Sequence, residues 1–280
     1  MLKTARGTAL WHHPPHRTAI MKDFKTTTFG LDGRPCALIA GPDPKYIIVQ
    51  VTDTAEVAAI QKPDAAAVLQ DPLTAQAELI RAAVGPNFAL AVFGVDDWNR
   101  DLSPWDAPAV FAGQPFGHGA AETLEFLQSQ FLPKVRAMLS AQLPVILAGY
   151  SLAGLFALWA AYQTDAFDGI CAASPSVWFP GWLDYAKAAQ PQTRCIYLSL
   201  GDKEEKTRNP VMSTVGDCIR AMAVLLSTQS APPAIASTLE WNPGNHFKDP
   251  DKRLAKGCIW AIKAPGQTPA KTQSTPRSTG

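Results

Sequence analysis

The sequence predicts an α/β architecture: a mostly parallel central sheet flanked by helices on both faces. Short apolar runs rich in β-branched residues recur along the chain, segments with helical periodicity lie between them, and the runs end in polar residues. Nearly continuous apolar runs suit strands buried on both faces, and strict alternation with helices implies right-handed βαβ units.

The first such run is "KYIIVQVTD". It is followed by "LTAQAELIRAAV", which spaces Leu73, Ala77, Ile80 and Val84 at helical intervals. "NFALAVFGVDD" is the next strand, and "AAETLEFLQSQFLPKVRAML" repeats the helical spacing with Leu124, Leu127, Phe131, Val135 and Met138. "PVILAGYS" then enters the apolar helix "LFALWAAYQ", and "GICAA", "RCIYLSLGD" and "AIASTLEW" supply the remaining strands. Ligands of open parallel sheets bind beyond the carboxyl ends of the strands. The residues to examine there are Thr52, Asp53, Asp96, Asp97, Ser151 and Gly201 to Glu205.

At 280 residues, with no repeat or compositional break, a single domain is expected. Lys and Arg number 25 against 24 Asp and Glu, so bulk charge gives no reason to expect nucleic acid or a membrane surface as partner. No apolar stretch reaches the length of a membrane helix, and "MLKTARGTALWHHPPHRTAI" lacks the continuous apolar segment of a secretory signal. A cytoplasmic protein acting on a small molecule is expected. Cys36, Cys171, Cys195, Cys218 and Cys258 form no CxxC pair, which argues against a disulfide framework or zinc site. Residues 1–20, including His12, His13 and His16, have no period, and residues 264–280 hold almost no large apolar group. Both are expected to be disordered, leaving a folded unit over 21–263.

The chemistry centres on "VILAGYSLAG". Gly149-Tyr150-Ser151-Leu152-Ala153-Gly154 is a Gly-x-Ser-x-Ala stretch at a strand-to-helix junction, the pattern of a nucleophile elbow. The turn holds the serine at strained angles, and large side chains two residues before or after it would collide with neighbouring segments, hence Gly149 and Ala153. The helix starting at Leu152 points its first amides at the site, where they favour an oxyanion. This architecture requires nucleophile, acid and base in that chain order. His246, in "LEWNPGNHFKDP", is the one histidine after the serine. Asp202, Glu204 and Glu205 follow the strand before it, and the residues alone do not choose among them.

"GYSLAGLFALWAAYQTDAFDGICAASPSVWFPGW", with Ser-Pro-Ser-x-Trp after the next strand, resembles the putative-esterase branch of the α/β-hydrolases, the group of enterochelin esterase-like and esterase D-like proteins. "WNRDLSPW" followed by "FGHGAAETLEFLQSQFLPKV" is similar to the same branch, and the likeness runs from about residue 25 to 263. The resemblance implies an α/β-hydrolase fold and a Ser-His-acid esterase without metal or organic cofactor. Its oxyanion hole would use the amides of Leu152 and Thr54. Relatives carry Gly-x-x-Glu at the acid position, which matches Gly201 and Glu204, while a Ser-His dyad is also found among them.

The expectation is a serine hydrolase that cleaves a carboxylic ester through an acyl-enzyme, with Ser151 as nucleophile, His246 as base and Glu204 as its partner. An acyltransferase or peptidase on the same fold, or a silent binding module, are the alternatives. Trp98, Trp105, Trp178, Phe179 and Trp182 are candidates for a substrate pocket, and Arg100 for a carboxylate grip.

Overall fold

The computed structural model describes residues 23–60, 72–110, 113–228 and 235–264. The expected disordered ends and the histidine-containing N-terminal stretch lie outside the described residues, apart from Ala264, which is buried.

The chain begins with β1 (Lys25–Leu31) and β2 (Arg34–Ala40), then β3 (Ile47–Asp53), α1 (Thr54–Ile60), α2 (Pro72–Val84) and β4 (Ala89–Val95). A short helix α3 (Trp98–Asp101) precedes α4 (Ala120–Phe126), which runs through a π-helical turn (Leu127–Phe131) into α5 (Leu132–Leu139). There follow β5 (Val145–Tyr150), α6 (Leu152–Gln163), β6 (Gly169–Ala173), α7 (Trp182–Ala188), β7 (Cys195–Gly201), α8 (Val215–Thr228), β8 (Ala236–Asn242) and α9 (Pro250–Lys263).

These strands form one eight-stranded sheet in the order β1-β2-β4-β3-β5-β6-β7-β8. Pairing is parallel from β4 through β8 and antiparallel only where β2 meets β1 and β4. The mostly parallel sheet is therefore as expected, but the β1–β2 hairpin adds an antiparallel edge that the apolar-run reading passes over. β1 alternates exposed and half-buried positions and carries three threonines, so it lacks the continuous apolar signature of its neighbours. Its turn is a two-residue Asp32-Gly33 loop with φ of 51° and 74°. Asp-Gly is a favoured sequence for such a hairpin turn.

Helices cover both faces. Val57, Leu73, Ala77, Ile80, Leu254 and Cys258, from α1, α2 and α9, pack against Ile48, Leu90 and Ile146 on one side. Leu127, Phe131, Phe156, Trp182 and Ile219, from the π turn, α6, α7 and α8, pack against Val49, Ala91 and Leu147 on the other. The predicted long helix before β5 is thus continuous but contains the π turn, where the Leu132 N–H donates to Leu127 O. Pro133 follows at once; it has no N–H for a normal helical bond.

Candidate active site

β5 delivers Ser151 at the centre of the sheet's carboxyl edge. Its backbone sits at φ 58° and ψ −120°, left-handed strain for a residue with a side chain. The strain is held from three directions. Ser151 N–H donates to Ala173 O at 3.1 Å, while its carbonyl accepts from Ser176 N and Leu155 N at 3.0 and 3.1 Å. Gly149 is indispensable to the turn, because a Cβ there would lie 2.1 Å from Ala153 O. From Leu152 to Tyr162 every residue of α6 is buried, so the helix behind the serine is rigidly packed core.

His246 comes from the loop between β8 and α9, and its Nε2 lies 3.0 Å from Ser151 Oγ. On its other side Nδ1 is 2.7 Å from Glu204 Oε2. An ionised carboxylate only accepts, so Nδ1 carries the proton and Nε2 is left to accept from the serine hydroxyl. Of the three neighbouring acids only Glu204 reaches the imidazole. Asp202 instead accepts from Gly244 N at 2.7 Å, and Glu205 pairs with Arg220 at 2.9 Å. The short 3-10 turn Glu204–Lys206 separates their directions and buries Glu204 alone.

Glu204 Oε1 is saturated from behind: Gly201 N donates at 2.7 Å, Ser174 Oγ at 2.8 Å and Arg253 Nη1 at 2.6 Å. Burial by itself would raise this carboxyl; the hydrogen bond and charge of His246, with help from Ser174 and the Gly201 amide, hold it below the ordinary glutamate range instead. A carboxylate kept ionised in this way is suited to stabilising an imidazolium.

Residues 72–221, more than half of the chain, match the family model described as "Putative esterase". The chain belongs to that family. No curated protein matches the sequence. Among solved structures, an IroE-like serine hydrolase from Shewanella oneidensis superposes with a TM-score of 0.65 at 15% identity, over 84% of this chain and 79% of that one. Siderophore hydrolase EstA from Aspergillus nidulans gives 0.62 at 17% identity, over 91% and 99%. An S-formylglutathione hydrolase from Agrobacterium tumefaciens gives 0.54 at 10% identity, over 85% and 94%. At these identities the likeness is one of fold, the α/β-hydrolase fold; the family match makes the protein a carboxylic ester hydrolase.

Two lobes of the esterase's cleft meet at Ser151 and His246, with Trp98 and Phe247 lining both. One, of about 370 Å³, runs past Gln50, Thr52, Asp53 and Glu56; the other, of about 530 Å³, is walled by Phe116, Trp178, Met212 and Val215, with Lys203 and Lys206 beside them. Leu152 lines the larger lobe. Thr54 opens α1 next to the smaller one, where its hydroxyl donates to Asp96 at 2.5 Å.

The remaining candidates divide. Trp98 and Trp178 face the cleft, but Phe179 and Trp182 are core residues, and Trp105 packs on Phe179 and Tyr185 with its indole N–H donating to Pro180 O. Arg100 is tied to Asp101 and Glu122 rather than open to a substrate. Tyr150, Ser174 and Arg253 are the site residues that the sequence reading did not single out. Ser174 opens the Ser-Pro-Ser motif, a signal that was present; nothing around Arg253 marks it.

Proposed function

We propose that the protein hydrolyses a small-molecule carboxylic ester through an acyl-enzyme on Ser151, with His246 as general base and Glu204 as the acid that orients it. The observation that carries this reading is the unbroken line from Ser151 Oγ through both imidazole nitrogens to a buried carboxylate, 3.0 and 2.7 Å per step. His246 takes the serine proton as Oγ attacks the ester carbonyl, and the carbonyl π pair moves onto oxygen. The Leu152 amide at the start of α6, with the Thr54 amide, receives that oxyanion. Collapse breaks the ester C–O bond, and the imidazolium returns its proton to the leaving alkoxide. A water then repeats the cycle on the acyl-serine, releasing the acid and restoring the enzyme.

This chemistry requires neither a metal nor an organic cofactor. The aromatic wall of the larger lobe suits a bulky apolar or aryl half of the substrate. Structural neighbours carry names as different as siderophore hydrolase and S-formylglutathione hydrolase, so the fold leaves the ester open. In the same reading the enzyme is one domain over residues 21–263, working in the cytoplasm. Among the described residues no helix is long and apolar enough to cross a membrane.

A fluorophosphonate probe and p-nitrophenyl acetate test the proposal together. The native protein should label and turn over, and Ser151→Ala should do neither while keeping its melting temperature within a few degrees. Residual turnover above about a thousandth of the native rate would assign the nucleophile elsewhere. A native protein that never labels would lack an activated serine, and the acyl-enzyme reading would fall.

A further inference from the structure

We infer that Arg253 is a positioning residue of the hydrolytic site: its guanidinium fixes the Glu204 carboxylate and the His246 loop relative to each other. The inference rests on the Ser151–His246–Glu204 reading.

Arg253 lies one turn into α9 and is only 2% exposed. It lines neither lobe of the cleft, so it acts through other residues and not on substrate. Nη1 lies 2.6 Å from Glu204 Oε1, 2.8 Å from Ser174 Oγ and 3.1 Å from Tyr150 Oη. Nη2 turns the other way and donates to Asn245 O at 2.9 Å. Tyr150 completes the frame by donating to His246 O at 2.6 Å. The guanidinium therefore holds the acid directly, the carbonyl before the histidine directly, and the histidine's own carbonyl through one phenol.

Each contact answers a specific freedom. A carboxylate can rotate and offer either oxygen; with Oε1 saturated, Oε2 is left aimed at His246. The histidine loop contains Gly244 at φ 105°, a backbone conformation open chiefly to glycine. Asp202 braces that loop at the Gly244 amide, and Arg253 braces it at Asn245 O, next to the histidine. Room for the clamp comes from Gly201, where a Cβ would approach Arg253 Nη2 to 2.8 Å and Gly244 O to 2.3 Å. The guanidinium also sets a buried positive charge against Glu204 Oε1, on the side away from the histidine. A lysine could supply the charge but not the two divergent donors.

An arginine that served only as core glue would lower stability on removal and leave turnover per labelled serine unchanged. The deciding experiment is a double-mutant cycle on the full chain, with p-nitrophenyl acetate turnover expressed per fluorophosphonate-labelled serine. Arg253→Met should lower kcat about 100-fold with KM within about threefold, and in a Glu204→Gln background it should cost less than about threefold more. Arg253→Lys should restore about tenfold of the loss. Arg253→Met activity within about threefold of native, or losses that multiply with that of Glu204→Gln, would overturn the inference. If Arg253→Met does not fold, Arg253→Lys goes through the same cycle: about a tenfold loss that vanishes beside Glu204→Gln is expected, and no loss or a multiplicative one overturns it. Failure of the underlying reading is separate, since Ser151→Ala would then still turn over or the native protein would not label.

Discussion

The two oxygens of Glu204 serve different neighbours, one the imidazole and the other the protein behind it, while Asp202 two residues earlier only braces the histidine loop through Gly244 N. Glu204→Gln should therefore lower kcat by about a hundred- to ten-thousand-fold, because an amide neither stabilises the imidazolium nor enforces the Nδ1–H tautomer. Asp202→Asn keeps an acceptor for the Gly244 amide and should cost under about tenfold. Steady-state rates of the two variants check the ranking, and the reverse order would move the acid to Asp202. The sequence placed three carboxylates in a row, and its own logic stopped there; only the family-like Gly-x-x-Glu spacing leaned toward Glu204. What separates them is a turn, and turn direction is not encoded in residue type. Arg253 was invisible for a related reason: in "PDKRLAKG" it sits among lysines and an aspartate, a composition that looks like a solvated helix face.

At the level of elements, the strands and helices that position the serine were legible because each is buried on both faces and so writes continuous apolar runs. The elbow was legible because sterics leave it few residue choices. Gly149→Ala would push a methyl to 2.1 Å from a backbone oxygen of α6, which cannot rotate away. The expected loss is about 3 kcal/mol in denaturant unfolding, with activity lost as the turn opens. Gly30→Ala in β1, where nothing lies within 4 Å of the new Cβ, is the control and should shift stability by under about 1 kcal/mol. Equal effects at the two sites would contradict the account of the elbow. The aromatic residues mark the limit of such reading. Trp178 and Phe179 are adjacent, alike in composition and both packed on Phe116, yet one lines the cleft and the other is core.

For the whole molecule, acidic and basic residues nearly cancel, so long-range repulsion gives stability little dependence on pH near neutrality. The local exception is the Glu204 carboxyl, whose side chain is 4% exposed and whose folded value is lowered. The sign follows from linkage. A depressed carboxyl contributes its full stability above the unfolded glutamate value of about 4.3 and loses it as pH falls through the folded value. Between those limits the unfolded chain binds more protons than the folded one, so stability falls as pH falls. Glu204→Gln cannot titrate, and at neutral pH it strands the Arg253 cation without a counter-charge, a cost of about 3–5 kcal/mol for a buried pair. The native protein should therefore be the more stable of the two at pH 7, and the gap should narrow as pH drops below about 5, because the unfolded native chain then gains a proton at Glu204 that the folded carboxylate does not take up. Denaturant unfolding of both proteins from pH 7 to pH 3 measures that gap. A difference that stayed constant over the range would mean that Glu204 is not held as a buried carboxylate, and both its pairing with Arg253 and its role beside His246 would have to be abandoned.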